Sequence, residues 1–291
     1  MKRLFLLSAI ALVAICSSSC GSSQSGAPAK PEPPVRHGWN YSPLYGNVES
    51  VTITNYQLED KFGEVVRGDI ESRYKYYFNE AGDVVERAEY NSDGSLCRKE
   101  TYKYDALRNL VEETSYDPDG SLNWKMVYKY DSSGNLIEAS QYNSDGSLCV
   151  KNIYKYDSLG NMIEYAWYNS DGSLNWKMVY KYDSSGNVIE ASEYNSAGSL
   201  HEKYTFKYDT SGNMIEWAWY NSDGSLDVKR IYKYDTSGNM IESAGYNSDG
   251  SLRYKTIYKY DSSGNIIEET TYSGEALMPH FQTVYEITYR K

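Results

Sequence analysis

The sequence is poor in the residues on which many metal sites and active sites depend. It has 3 histidines, 4 cysteines and 5 phenylalanines among 291 residues. His37, His201 and His280 lie far apart in the chain and lack the spacing of zinc ligands. The sequence also lacks a phosphate-binding loop, a dinucleotide-binding fingerprint and a nucleophile elbow. We therefore predict a protein that is not an enzyme, with no catalytic residue, no cofactor and no metal site.

Basic charge is scarce as well. The 29 lysines and arginines stand against 40 aspartates and glutamates, which gives a formal net charge of -11 at pH 7. Proteins that bind nucleic acid need a basic surface that displaces counterions from phosphates. This charge balance excludes nucleic acid as a partner.

Proline is almost absent after the N-terminal region, since five of the 7 prolines fall between Gly21 and Pro43. A short basic start, Met1-Lys2-Arg3, precedes an apolar stretch from Leu4 to Cys16. That stretch has the length of a secretory signal and is too short to span a bilayer. We predict a signal peptide over residues 1–19, a Ser/Gly/Pro-rich linker over 20–43 and a single β-repeat domain over 44–291.

The residues Ser17-Ser18-Ser19-Cys20-Gly21 resemble the lipobox of bacterial lipoproteins, although Ser17 replaces the leucine often found there. The resemblance implies that Cys20 is acylated and that acyl chains attach the protein to a membrane. A plain cleaved signal peptide is the alternative. Both interpretations predict an exported protein of the cell envelope, and the first predicts an outer-membrane lipoprotein.

Tyrosine and glycine are abundant, at 32 and 22 residues, and they recur with a period of 26 residues. The string YKYD begins at Tyr102, Tyr128, Tyr154, Tyr180, Tyr232 and Tyr258. Eight copies cover residues 76–283, each with two turn signals separated by segments that suit strands. Tight turns make neighbouring strands antiparallel. The sequence predicts an all-β repeat protein, a continuous antiparallel β-meander of roughly 16 to 18 strands, twisted or rolled into a spiral or solenoid-like sheet.

The turns predict further local features. Each turn glycine should take the left-handed conformation, so Arg108, which stands where other copies have glycine, should be strained or locally rearranged. If the turns close tightly, Glu164 falls opposite Lys177. Cys97 and Cys149 are two copies apart, which separates them by about 19 Å in an open sheet and predicts free thiols.

The segments YDSSGNLIE, DGSL and YKYD resemble the YD repeat of RHS and teneurin-type proteins, here in a short bacterial lipoprotein form. That resemblance implies β-hairpin units that wind into spiral sheets or hollow shells, and it implies no reaction. Tyr76-Tyr77-Phe78-Asn79 and the recurrent YNSDGSL are also similar to cell-wall and choline-binding repeats. In those repeats aromatic cages hold quaternary amines.

The copies differ most in their aromatic residues. One copy has Tyr165, Trp167 and Trp176, and another has Trp217 and Trp219. Matching positions elsewhere hold Glu89, Arg98, Gln141 and Glu202. Either the sheet curls to bury these rings, or they form an exposed platform for a glycan or protein partner.

These patterns together predict a non-catalytic, lipid-anchored envelope protein that acts as a binding or structural module. The alternative is a carbohydrate- or choline-type binder that uses exposed aromatic side chains.

Overall fold

A computed structural model describes residues 35–274 and 277–291, and its regular elements are eighteen β-strands. In chain order they are β1 (Val48–Lys61), β2 (Glu64–Phe78), β3 (Val84–Tyr90), β4 (Leu96–Tyr104), β5 (Leu110–Tyr116), β6 (Leu122–Tyr130), β7 (Leu136–Asn143), β8 (Leu148–Tyr156), β9 (Met162–Asn169), β10 (Leu174–Tyr182), β11 (Val188–Asn195), β12 (Leu200–Tyr208), β13 (Met214–Asn221), β14 (Leu226–Tyr234), β15 (Met240–Asn247), β16 (Leu252–Tyr260), β17 (Ile266–Ser273) and β18 (Met278–Tyr289). No helix in the described residues is long and apolar enough to cross a membrane.

The strands form a closed antiparallel barrel. Each strand pairs with the next one in the chain, and β18 also pairs with β1. At this seam Ile53 lies opposite Tyr285 of β18 and, on its other side, opposite Tyr74 of β2. The prediction of a spiral or solenoid-like sheet is therefore wrong. The first and last strands satisfy each other's backbone groups, which an open sheet would leave exposed at two edges.

The hairpin turns have the predicted chemistry. In the turn from Asn169 to Ser173 the Asn169 N–H donates to the Ser173 carbonyl at 2.9 Å, and the Gly172 N–H donates to the Asn169 carbonyl at 3.0 Å. Gly172 has a φ of 81°, in the left-handed region. The turn from Asp183 to Asn187 repeats the pattern at the other end of the barrel. We call the end with the Asp183 turn, where β1 begins, the proximal end, and the other the distal end.

The predicted register is wrong by two residues. Glu164 lies opposite Val179, and Lys177 lies opposite Ala166. The loop is wider than expected, so that Tyr168 faces Leu174, and Asn175 is then an unpaired bulge residue before the next pair. Each bulge shifts the pairing beyond it by one further residue.

Tyrosines join neighbouring strands at the proximal end. In seven copies the second tyrosine of the YKYD position donates its hydroxyl to the carbonyl of the residue twenty places earlier, as Tyr130 does to Leu110 at 2.8 Å and Tyr208 to Val188 at 2.9 Å. The regular spacing of these tyrosines thus has a structural cause.

The buried apolar residues form two clusters on different strands. One lies on the closing strands and includes Val51, Phe78 and Tyr285, and the other lies on β10 to β14. Residues 35–47 cover the first cluster, and of these 35–43 belong to the predicted linker. Within that segment Trp39 packs on Tyr76 with ring centroids 5.3 Å apart.

Arg108 fixes this N-terminal segment. Its φ is 67°, the strained conformation that its position predicts. Its guanidinium contacts the Asp83 carboxylate at 2.5 Å, the Ala81 carbonyl at 2.8 Å and the Val35 carbonyl at 3.3 Å. Burial by itself would raise the pKa of Asp83, but hydrogen bonds from Arg108 and the His37 N–H hold it below its usual value. The strained backbone places this cation against a buried acid.

Candidate ligand-binding site

The outer wall of the barrel carries a ladder of opposite charges. A lysine near the proximal end faces a glutamate on the next strand in seven successive copies, as Lys155 faces Glu164 at 2.7 Å. A second lysine reaches several of these glutamates from the other side, as Lys151 reaches Glu138 at 2.7 Å. Two ammonium groups thus lower the pKa of Glu138 to about 2, although its burial acts in the opposite direction.

Other lysines of the outer wall lie over tyrosine rings. The ammonium groups of Lys177, Lys203 and Lys229 lie 6.0, 5.5 and 5.9 Å from the ring centroids of tyrosines on the next strand. Ion pairs thus run along the outer wall on strands β3 to β17.

The eight copies agree on the outer wall and differ on the inner wall. The outer ladder has glutamate in every copy, at residues 86, 112, 138, 164, 190, 216, 242 and 268. The inner position next to it holds Arg87, Glu113, Ala139, Tyr165, Ala191, Trp217, Ser243 and Glu269. A second inner position holds Arg98, Trp124, Val150, Trp176, Glu202, Val228 and Tyr254. The repeat therefore keeps one chemistry along the outer ladder. Inside, it repeats a tyrosine, such as Tyr154 or Tyr180, but changes its chemistry from strand to strand at these two positions.

Three of the predicted aromatic residues meet on the inner wall. Trp167 of β9 lies directly opposite Trp176 of β10, and their rings pack edge to face with centroids 5.9 Å apart. The Tyr165 ring packs against the Trp176 ring, with centroids 5.1 Å apart. We call Tyr165, Trp167 and Trp176 the first aromatic cluster.

The other two predicted residues form a second aromatic cluster with Tyr204. The Tyr204 ring stacks on Trp217 at 5.8 Å and on Trp219 at 6.2 Å, with interplanar angles of 22° and 24°. Arg230 lies on the other side of Trp217, 5.2 Å from its ring centroid. Met178 and Tyr180 connect the two clusters into one apolar region.

These rings are neither all buried, as a curled sheet would make them, nor fully exposed, as a platform would require. Trp176 and Trp217 are buried at 9% and 8% exposure, whereas Tyr165, Trp167 and Trp219 are half-buried. None of the five lies on the outer wall, so an exposed outer platform does not form. The curvature of the closed barrel, which the open-sheet prediction lacked, turns this face inward.

A pair of carboxylates lies between the two aromatic clusters. Glu193 of β11 is directly opposite Glu202 of β12, and Glu193 is 7% exposed. Its Oε2 has no hydrogen-bond partner in the described part of the chain. Burial, with the charge of Glu202 in addition, raises the pKa of Glu193 to about 7. Glu202 accepts a short hydrogen bond from the Tyr204 hydroxyl.

A second group of inner-wall charges, on β3 to β6, is internally paired. Arg87 contacts Glu100 at 2.7 Å and Glu89 at 3.6 Å. The Tyr128 hydroxyl donates to Glu113 at 2.8 Å. Burial raises the pKa of Glu113 to about 7. Because its partners are already present, this group needs no ligand.

The sequence did not reveal that Glu193 lies opposite Glu202. The mixture of glutamate and tryptophan at equivalent positions was visible. The predicted register, with Glu164 opposite Lys177, also places Tyr165 rather than Trp167 opposite Trp176. The correct register places Glu193 and Glu202 side by side. The bulge in each hairpin is the signal that would have shown this.

The other predicted sites have different outcomes. Cys20 lies outside the described residues, so its acylation stays a prediction. Cys97 on β4 and Cys149 on β8 are free, as predicted. Across residues 35–274 and 277–291, no group of three or more histidine, cysteine, aspartate or glutamate side chains has the arrangement of a metal site.

Comparison with known proteins gives limited matches. A family model described as "Uncharacterised protein" matches residues 118–211. No curated protein matches the sequence. A porin-like protein from Bacteroides uniformis is similar in structure, with 9% identity, a TM-score of 0.45, and coverage of 83% of this chain and 98% of that one.

Two further solved structures are similar over most of this chain. A putative outer membrane lipoprotein-sorting protein domain from Vibrio parahaemolyticus has 9% identity and a TM-score of 0.27, covering 82% of this chain and 86% of that one. The structure described as TcdB2-TccC3-Cdc42 has 14% identity and a TM-score of 0.32. The match spans 82% of this chain but 16% of that chain. All three TM-scores are too low to define a shared fold.

The resemblance to YD repeats of the RHS and teneurin type is corrected by these findings. The family model that matches is that of an uncharacterised protein and not of YD repeats. The repeats also close into one barrel and do not wind into a spiral. A hairpin period of 26 residues specifies which strands are neighbours, but it does not specify how the sheet curves.

Proposed function

We propose that this protein is a non-catalytic, lipid-anchored binding module of the cell envelope, whose barrel receives a ligand against its inner wall. The contrast between the two walls carries the proposal. The inner wall repeats a packing tyrosine, such as Tyr154 or Tyr180, but the positions beside it vary between aromatic, charged and small side chains. A barrel of 18 strands is also wide enough to enclose a water-filled interior.

The proposed location follows from the N-terminal sequence. An acyl anchor on Cys20 and the segment up to residue 34 lead to the proximal end, where the described chain begins. The charged outer wall suits a barrel held outside the bilayer. The names of the Bacteroides and Vibrio structures, porin-like and outer membrane lipoprotein-sorting, describe envelope proteins.

The ligand contacts are proposed to be the two aromatic clusters. Half-buried Trp167 and Trp219 offer ring surface to a ligand, while Trp176 and Trp217 support them from the wall. Stacked rings bind sugar faces or organic cations, so the carbohydrate- and choline-type alternatives use the same residues.

Tryptophan fluorescence of the full-length protein in detergent tests this proposal. Titration with neutral oligosaccharides, amino sugars and choline should change the emission of the wild-type protein for at least one ligand. Trp167→Phe and Trp219→Phe should weaken that change, since phenylalanine retains packing but offers less ring area. Trp124→Phe, which alters an inner-wall tryptophan outside both clusters, is the matched control and should bind as wild type.

Two results would contradict the proposal. If no ligand alters the emission and aqueous quenchers do not reach Trp167 or Trp219, the rings serve only as core. Formation of a chemical product from a bound ligand would contradict its non-catalytic part.

A further inference from the structure

Glu193 is a buried acid with an unused acceptor. Its Oε2 has no hydrogen-bond partner within the described residues, and its neighbours across the two flanking strands are Met178 and another acid, Glu202. An unpaired carboxylate in such a position costs stability unless a donor satisfies it.

The hydroxyl of Tyr180 is a second unused polar group beside this acid. Tyr180 is 4% exposed, and its hydroxyl has no hydrogen-bond partner within the described residues. It lies on β10, one inner position along from Met178, and is close enough to interact with the charge of Glu193. Two independent buried groups therefore have free acceptor capacity at one place on the wall.

Aromatic rings surround this place on both sides. Trp176 of the first aromatic cluster is one inner position along β10 from Met178, the residue that faces Glu193. On the other side Tyr204 follows Glu202 along β12 and stacks on Trp219. The two acids thus lie within a frame of ring faces, which attract cations.

We propose that Glu193, Glu202 and Tyr180 bind a primary ammonium group carried by an organic ligand. The inference rests on the proposed function, because it assigns a ligand class to the same inner wall. An ammonium group donates three hydrogen bonds and accepts none, so it matches free acceptors on Glu193 and Tyr180. Its single positive charge faces two carboxylates, and the ligand carbon atoms contact the tryptophan faces.

Other ligand classes match these atoms less well. A neutral sugar leaves the two carboxylates without a counter-charge. A quaternary amine gains the ring contacts but has no N–H to donate to Glu193 or Tyr180. A metal ion would need more oxygen ligands than these groups supply.

The binding should depend on pH through Glu193. The groups that face it are Tyr180 on β10 and Glu202 and Tyr204 on β12, and the nearest base is His201, whose Nε2 lies 3.8 Å from Glu202 Oε1. Arg230 lies on Trp217, on the far side of the second aromatic cluster. Because protons and the ammonium group compete for the same carboxylate, binding should weaken as the pH falls below about 7.

A matched pair of ligands provides the test. Glucosamine and N-acetylglucosamine differ in that the first carries a primary ammonium group and the second a neutral amide. Calorimetric titration of the full-length protein in detergent at pH 7.5 should show glucosamine binding about tenfold or more tighter than N-acetylglucosamine, the ratio expected for charged hydrogen bonds. Choline should bind more weakly than glucosamine.

Variants separate this site from the rest of the wall. Glu193→Gln removes a buried charge and should therefore fold, yet it should remove the preference for glucosamine. Glu113→Gln changes another inner-wall acid with a raised pKa, but one that Tyr128 already satisfies, and should retain the preference.

Three outcomes would overturn the inference. These are equal affinity for the two sugars, an unchanged preference in Glu193→Gln, or the absence of binding by both glucosamine and choline. In the first case the proposed binding function survives, since a neutral sugar would still occupy the aromatic wall. Fluorescence that responds to none of the ligands is the separate result that removes the proposed function.

Discussion

Single acids on the inner wall reduce the stability of the barrel at neutral pH. Glu113 is enclosed by Tyr128, Tyr102 and Glu100, and burial raises its pKa to about 7. A carboxyl group with a pKa raised in the folded state binds more protons there than in the unfolded chain between about pH 4.5 and 7. Folding stability therefore falls as the pH rises through this window, and it levels off above it. The pKa of Glu138 on the outer wall is instead lowered to about 2, because Lys129 and Lys151 stabilise its charge.

We expect Glu113→Gln to stabilise the protein at pH 8. The amide still accepts the hydrogen bond from Tyr128, and the cost of a buried carboxylate, on the order of 3 kcal/mol at full ionisation, is removed. At pH 5 the change should be small. Urea unfolding at both pH values measures the effect.

The matched control is Glu138→Gln, which should lower stability at pH 8 because it removes a charge that two lysines stabilise. Equal effects of the two substitutions at pH 8 would show that the walls do not differ in their electrostatics.

At the scale of elements, the repeats share turns of one pattern, and the Arg108 turn departs from it in its residue. The Arg108 turn keeps the left-handed backbone without glycine. That conformation costs on the order of 1 kcal/mol for a non-glycine residue. The Arg108 side chain is 40% exposed, but Asp83 is 1% exposed, so loss of the guanidinium leaves a buried carboxylate and costs about 3 kcal/mol, the low end of the range for buried pairs. The ion pair outweighs the strain, which explains why arginine serves here.

Arg108→Gly should therefore destabilise the protein by about 2 kcal/mol, although it relieves the backbone. Residues 35–47 should lose protection first, because the guanidinium holds the Val35 carbonyl directly. Hydrogen exchange of this segment and urea unfolding provide the measurements.

The converse substitution, Gly134→Arg, introduces the strain at the equivalent turn of the next copy. Asn109 occupies the position equivalent to Asp83, so the new arginine finds no carboxylate. The substitution should therefore lower stability only by the backbone strain, about 1 kcal/mol. Greater stability of Arg108→Gly than of the wild-type protein would contradict the proposed role of the ion pair.

At the scale of the whole molecule, pairing of β1 with β18 converts a meander into a barrel. Closure hides the two strand edges and separates a varied inner wall from a uniform outer one. Residues 35–47 then pack across the proximal end of the seam, where Tyr45 and Asn265 are joined by a hydrogen bond of 2.5 Å.

Closure predicts a specific cross-link. Thr52 of β1 lies opposite Glu286 of β18, so Thr52→Cys with Glu286→Cys should form a disulfide on mild oxidation. Peptide mapping by mass spectrometry identifies the bond among the natural cysteines.

Thr52→Cys with Glu268→Cys is the control, because Glu268 lies on β17, two strand spacings or about 10 Å from β1. Absence of the first bond, or equal formation of both, would contradict the closed register.

The candidate site was predictable in part. The sequence singles out Tyr165, Trp167, Trp176, Trp217 and Trp219, and these residues do gather in two neighbouring clusters. It does not show that Glu193 and Glu202 lie between them. Their juxtaposition depends on bulges such as Asn175, and a shift of one or two residues in register changes every cross-strand pair.

Local interactions set the features that could be predicted from the sequence. The strand segments, the turn glycines and the strain at Arg108 all follow from residues a few positions apart, so the 26-residue period is sufficient to predict an antiparallel β-meander. Whether that meander closes was decided by tertiary structure alone. The small twist and curvature of each hairpin accumulate over eighteen strands, and closure requires Ile53 and Tyr285 to meet although more than two hundred residues separate them. The direction in which the tryptophans point, toward the interior, follows from that closure.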